Sequence, residues 1–482
     1  MGLASLSAPV TWSRCPLILI WSASGLAVAT CAAALTLLST RFGYEYDVEA
    51  MPVLWLVGGL VLAGLVFGFS LPQLIRRSAA TDMRSDLPLV ICIVAAGLVA
   101  RLALFASEPM LEDDYHRYLW DGAVTASGYN PYAISPHEVQ RLGGSDLGRL
   151  AQEGGLTVKR INHAELRTIY PPVAQAAFAL AHFFEPWSLA SWRSVLLAFD
   201  FAALALILLL LRETGRSPLW SALYWWNPVV IKELFNSAHM DAVVLPPLLL
   251  ALLFAGRGRH ILATASLALA AGAKIWPVLL SPLVIRPLTA DPRRLVGALL
   301  VFCGLLALLL APILLAGIDA TSGYCAYADR WQTNSALFPT LEQSAAALLG
   351  PLGTPEASAG FTARILIALT LGLAAIALSM KPIEGTAELM GRASLLVAAL
   401  VLLSPAQFPW YAVWYAPFLA FRPWAGMLLL AATMPLYYTF FHFAARDQVE
   451  IFHEVVVWII WVPVWFALLI EAIRARTGAR FV

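Results

Sequence analysis

The sequence predicts an all-α polytopic membrane protein of about 12 to 14 transmembrane helices, with juxtamembrane helices in its first large outer loop. Two observations carry that expectation. Of the 482 residues 60% are hydrophobic and 13% charged, with a mean hydropathy of +0.76. The apolar residues also fall in recurrent runs of membrane-spanning length, with the charges gathered between them. Lys+Arg 31 against Asp+Glu 30 leaves a net charge of +1, which excludes a nucleic-acid-binding surface as the main business of the chain. Of the five cysteines, Cys15, Cys31, Cys92 and Cys303 fall in or near apolar runs and Cys325 lies in a loop. They make neither a disulfide framework nor a metal-type spacing.

The first run, 16–38, is too long for a signal-peptide core and reads as a retained span. Runs 53–71 and 87–106 follow, with Arg76, Arg77 and Arg84 between them. By the positive-inside rule that linker and the N-terminus are cytoplasmic, and residues 107–188 form the first large loop on the outer face. The middle of this loop, around Gly143-Gly144-Ser145-Asp146 and Glu153-Gly154-Gly155, reads as irregular. Its end, 173–184, is short for a span and reads as a helix lying along the membrane surface. That placement keeps Arg212, Arg216, Arg257 and Arg259 inside. Spans then follow at 191–211, 218–230, 242–254, 261–273, 278–285 and 295–315. A break at Lys274 and Pro277 is the kind of irregular backbone tolerated at membrane depth where it lines a cavity. A second outer loop covers 317–360. The last spans are 361–380, 393–403, 409–421, 424–441 and 451–469, and Arg474, Arg476 and Arg480 place the C-terminus inside. The chain reads as one membrane domain, 1–482, divided into three N-terminal spans (1–106), the outer loop (107–188), core spans (189–316), the second outer loop (317–360) and C-terminal spans (361–482).

The polar residues are distributed unequally. Glu112-Asp113-Asp114 follow directly on an apolar run, and charges are costly in hydrocarbon, so they belong at the surface or in a polar cavity. Asp113 or Asp114 can cap a helix on which Asp113, Arg117 and Asp121 stand one turn apart. The acids outnumber what capping needs. On the predicted topology the outer face also collects Tyr118, Tyr170, Arg193, Lys232, His239, Asp241, Lys274, Arg330 and Gln407, whereas the cytoplasmic face holds scattered arginines. Carboxylates can take a proton from a hydroxyl nucleophile. Arginine and lysine near lipid depth can hold a phosphate. Together they fit a reaction in which a lipid phosphate departs while an alcohol attacks.

Several segments, in order, resemble the GT-C superfamily of integral-membrane glycosyltransferases, in particular bacterial mannosyltransferases that use polyprenyl-phosphate mannose. The first is Asp113-Asp114-x-x-Arg117-Tyr118-Leu119-Trp120-Asp121-Gly122, with Gly128-x-Asn130-Pro131-Tyr132 after it. The others are Tyr170-Pro171-Pro172, Asn227-Pro228, His239-x-Asp241-Ala242, Lys274-x-x-Pro277, Leu403-Ser404-Pro405 and Pro409-Trp410-Tyr411. Two features depart from the family pattern: Ala238 or Ser237 stands where relatives often carry glycine before histidine, and two spans precede the one leading into the first outer loop, where many relatives have one.

The resemblance implies an inverting transfer of a sugar, mannose by the closest likeness, from a polyprenyl phosphate to a hydroxyl of a lipid-linked, glycolipid or polysaccharide acceptor at the outer face of a bacterial inner membrane. It implies that Asp113 and Asp114 supply the base, and that Lys274, with Arg117 and Arg193, holds the donor phosphate. Tyr118, Asp121, Tyr170, His239, Asp241 and Arg330 are the expected substrate contacts. No cofactor is expected. Adjacent carboxylates can hold a divalent metal, but Arg117 is expected to neutralise them instead. The expected partners are the donor, the acceptor and membrane lipids, with no nucleic acid. The rival readings are a multi-span transporter, which would favour internal repeats and charges at midplane, and a lipid-linked glycan polymerase or ligase.

Overall fold

A computed structural model describes residues 14–79, 86–352 and 357–477. Arg84 and Arg480, used in the topology reading, lie outside the described residues. Among the described residues every element is helical, and the one β contact is an isolated bridge between Thr333 and Ala406. Nine helices among the described residues are long and apolar enough to cross a membrane. There are ten if the pair Pro228–Asn236 and Met240–Gly256, bent by 109°, is one span. Pro172–Phe184, His260–Ala273 and Trp276–Ala290 are apolar but shorter. The expected 12 to 14 counted several such short pieces as spans. The chain is a multi-pass membrane protein whose long helices frame a centre of broken ones.

The first three helices, α1 (Arg14–Ser39), α2 (Val53–Ser78) and α3 (Leu87–Ala103), bury one apolar face, including Trp21, Leu56 and Ile93, and expose another, including Leu26, Trp55 and Ile91, as helices at a lipid boundary do. Arg101 of α3 is an exception to that apolar character, and it is fully buried. Its Nε donates to Asp200 Oδ2 at 2.5 Å, its Nη1 donates to the Trp225 carbonyl, and its guanidinium lies 3.4 Å from the Trp225 ring centre. A buried charge is tolerated only when paired and hydrogen-bonded, so Asp200, predicted to bond within the bundle, ties α3 to the helix that carries it.

The loop 107–188 is more ordered than its composition suggests. It contains α4 (Asp114–Ala126), α5 (Pro136–Arg141), α6 (Asp146–Lys159) and α7 (Pro172–Phe184). The Gly-rich stretch expected to be irregular is mostly α6. Ser145 caps it by accepting from the Gly148 N–H, and Gly155, at φ 49°, supplies a kink that an L side chain would resist. Helix α7 is too short to span and packs on α4 so closely that a Cβ at Gly122 would meet the Phe178 carbonyl oxygen at 2.5 Å. Ser191, near the start of α8 (Leu189–Glu213), donates to the Ala181 carbonyl and fixes the turn out of the loop.

Contacts between distant segments bring the loops to one end of the bundle. Tyr44 bonds His116, the Glu108 N–H donates to Ser39, Arg167 donates to the carbonyls of Ala316 and Gly317, and Arg446 donates to the Glu49 carbonyl. At the other end Arg257 pairs with Glu213, Arg286 donates to the Met380 carbonyl and Glu471 accepts from the Ala425 N–H.

Candidate active site

A cavity of about 750 Å³ opens at the loop end. The turn at 107–113 delivers Asp113 and Asp114 to its wall just as α4 begins. Neither acid caps α4 through its side chain. Their partners come from elsewhere. One nitrogen, Asn162 Nδ2, donates to Asp113 Oδ1 at 2.7 Å and to Asp114 Oδ1 at 3.1 Å. Asp114 Oδ2 accepts from the hydroxyls of Tyr118 and Tyr170, each at 3.3 Å. Asp114 is therefore well supplied with donors, and Asp113 is held mainly by Asn162. Burial first, and the charge of Asp114 second, push the Asp113 carboxyl up to about 6, with the Asn162 bond opposing them.

Lys274 lines the same cavity. The helix His260–Ala273 ends there, Lys274 is extended at φ −155°, and Pro277 enters a tight turn at Trp276–Leu280. This break turns the ammonium into the cavity. Its Nζ donates to Asp241 Oδ1 at 2.6 Å and lies 4.9 Å and 4.8 Å from the ring centres of Tyr411 and Trp414. Trp414 Nε1 donates to the same Asp241 oxygen at 2.5 Å. Ile275, half exposed, also lines the cavity beside Lys274.

The remaining predicted residues divide. Tyr118, Tyr170 and Arg117 line the cavity. Arg117 does not neutralise the acid pair. Its Nε donates to Asp121 Oδ1 at 3.0 Å and its Nη2 to the Leu166 carbonyl. Asp121, expected to touch substrate, lies behind Arg117. Its other oxygen is taken by Thr168 and Gln175, so it orients Arg117. Arg193, expected at the donor phosphate, is buried away from the cavity, donating to the carbonyls of Phe105, Ser107 and Asn236; it braces the turn before Glu112. Asp241 is buried and serves through Lys274. Arg330 is exposed and lines a neighbouring open pocket with His163, Glu165 and Gln332 instead of the main cavity.

His239 is fully buried behind the acids and stacked on Trp410 at 3.8 Å. It makes no side-chain cap for the following helix. The residue before it, Ala238, sits at φ 59°, a conformation natural to glycine and strained for alanine. The Trp192 indole holds it there by donating to the Ala238 carbonyl at 2.7 Å.

Sequence reasoning missed three parts of the site. Asn162 has no motif around it. Trp414 stands one helical turn after the Pro409-Trp410-Tyr411 motif, a spacing that could have pointed to it. The first loop contributes Phe42, Tyr44 and Met51 to the wall, so the extra N-terminal spans supply part of the cavity.

An acid pair and a lysine meet in one cavity at the loop end of a polytopic helical bundle, an arrangement that fits a membrane glycosyltransferase of GT-C type. Residues 17–290, more than half the chain, match the family described as alpha-(1->6)-mannopyranosyltransferase, N-terminal domain, and the chain belongs to that family. No curated protein and no solved structure matches the chain.

Proposed function

We propose that this α-1,6-mannosyltransferase takes mannose from a polyprenyl phosphate and passes it, with inversion, to a hydroxyl of a lipid-linked or glycan acceptor at the extracytoplasmic face. The observation that carries this reading is the pairing, in one cavity, of Asp113 held near pKa 6 with Lys274. An acceptor hydroxyl loses its proton to Asp113 while its oxygen bonds the anomeric carbon, and the bond from that carbon to the phosphate oxygen breaks. The lipid phosphate leaves already charged, so it needs stabilisation by Lys274 and Arg117 and no general acid. Direct displacement on a β-linked donor gives an α-linked product. The acids work without a metal in this reading, because the Asn162 amide already bridges them.

The test is transfer of label from polyprenyl-phosphate mannose by membranes carrying the protein. Label moves to a lipid or glycan fraction, and Asp113→Asn lowers the rate by about 10² to 10⁴. Full activity in that variant overturns the base assignment, and use of a nucleotide sugar in place of the lipid donor overturns the donor class. In the same assay EDTA leaves the rate unchanged; a loss restored by a divalent ion assigns the acids to a metal.

A further inference from the structure

Behind the acid pair lies a second, largely buried cluster of ionisable groups that the transfer step does not use, with Glu112 at its cavity edge. His239 is at its centre. On one side its Nδ1 lies 3.4 Å from the Tyr118 hydroxyl and 3.8 Å from Asp114 Oδ2. On the other its Nε2 faces two carboxylates, Glu112 Oε2 and Glu233 Oε2, each at 3.7 Å. Neither Nε2 nor Glu112 Oε1 has a hydrogen-bond partner among the described residues, although both are buried. Glu233 lies 3.4 Å from Lys232 Nζ and accepts from the Tyr438 hydroxyl at 2.9 Å and 3.0 Å.

The charges do not balance as drawn. Two glutamates oppose one lysine in a space without water's dielectric, and a buried unpaired charge is costly. One further proton makes the cluster neutral, either on Glu112 or on the imidazole. Burial and the neighbouring acids hold the Glu112 carboxyl well above the usual range, against the pull of Lys232. The rest follows from hydrogen counting. Tyr118 has one hydroxyl hydrogen, and it can be given either to Asp114 or to His239 Nδ1. If the imidazole carries hydrogen on Nδ1, Tyr118 accepts from it and must give its own hydrogen towards Asp114. Nε2 is then a lone pair, and it can face the two carboxyls only if one of them brings the proton. Without that proton the imidazole takes the other tautomer, and Nδ1 draws the Tyr118 hydrogen away from Asp114.

We propose that His239 is a positioning residue, and that the single proton it shares with Glu112 and Glu233 directs the Tyr118 hydroxyl onto Asp114 and so fixes the charge beside the base. The inference rests on the transfer reaction above. The strained Ala238 backbone supports it: a strained turn, braced by Trp192, is spent on placing this ring. The other groups facing the cluster are Asp113 from the turn, Lys274 from the helix break, and Tyr437 beside Tyr438.

The experiment is the pH dependence of kcat for mannose transfer by the purified full chain. The wild type loses rate on an alkaline limb, where the shared proton leaves. Glu112→Gln is neutral at every pH and its amide can donate to Nε2, so that limb moves up by at least one pH unit or disappears. Glu233→Gln gives the same readout if Glu112→Gln does not fold. His239→Gln lowers kcat roughly a hundredfold, the scale of a misplaced reacting group, with the donor KM unchanged. A wild-type limb that both glutamine variants leave in place overturns the proton, and a fall confined to KM in His239→Gln overturns the positioning role. Absence of transfer by the wild type itself overturns the reaction on which the inference rests.

Discussion

At the residue scale the acid pair is asymmetric. Asp114 accepts from Asn162, Tyr118 and Tyr170, whereas Asp113 depends on Asn162 and on its neighbour's charge. A base must be ionised to accept a proton, so kcat/KM rises with pH through an apparent value near 6 and is full above it. Asp114→Asn removes the second-largest cause of the elevation, and the acid limb shifts to lower pH. A limb that stays in place in that variant assigns it to another group. The charged residues were legible in the sequence because charge after an apolar run is conspicuous. The direction each one faces was not. Asp121 and Arg193 look as exposed to substrate as Asp113 in one dimension, and only the folded chain shows Arg117 and three backbone carbonyls consuming them. Asn162 was illegible for the opposite reason. It is an ordinary amide, and it reaches the acids from 49 residues away along the chain.

At the scale of elements, the long helices were readable from apolar length and the break at Lys274 from Pro277, whereas the sharp bend within 228–256 was not. Residues 228–256 contain enough apolar sequence for a span, yet the chain turns through 109° within them because the polar stretch Lys232–His239 folds inward around its own ion pairs. Helix α6 was missed because glycine and polar residues signal turns, while its Ser145 cap and buried Ala151 and Val158 outweigh them here. The α4–α7 contact makes a sharper prediction. Gly122 lets the backbone of α4 approach α7, and a methyl group there meets the Phe178 carbonyl oxygen at 2.5 Å. Gly122→Ala therefore pries the acid-bearing helix from its support, at about 1 to 3 kcal/mol for overpacking. The variant shows a lower melting temperature and a larger loss of kcat than of donor affinity. Wild-type melting in Gly122→Ala means that the two helices separate without cost.

At the scale of the whole molecule, the cavity sits at one end of the bundle, lined by loops 40–52, 107–188 and 317–336, the breaks at 237–241 and 274–277, and the segments 400–414 and 437–441. The opposite end joins its helices by shorter turns that carry Arg212, Arg216, Arg257, Arg259, Arg286 and Arg422. Basic residues in short loops mark the cytoplasmic side, which supports the proposed topology with the arginine turns in the cytoplasm and the cavity outward. On the proposed function, a lipid phosphate made inside is presented outside before transfer, which makes sidedness a condition of that mechanism. Glu165, with a side chain 63% exposed at the cavity end, and Arg259, exposed at the other, report it directly. In a background with the five cysteines replaced by serine, Glu165→Cys in intact cells reacts with a membrane-impermeant maleimide, and Arg259→Cys reacts only after the membrane is opened. The reverse pattern puts the acid pair in the cytoplasm, where mannose is also available on soluble nucleotide carriers, and removes the reason for a lipid-borne donor.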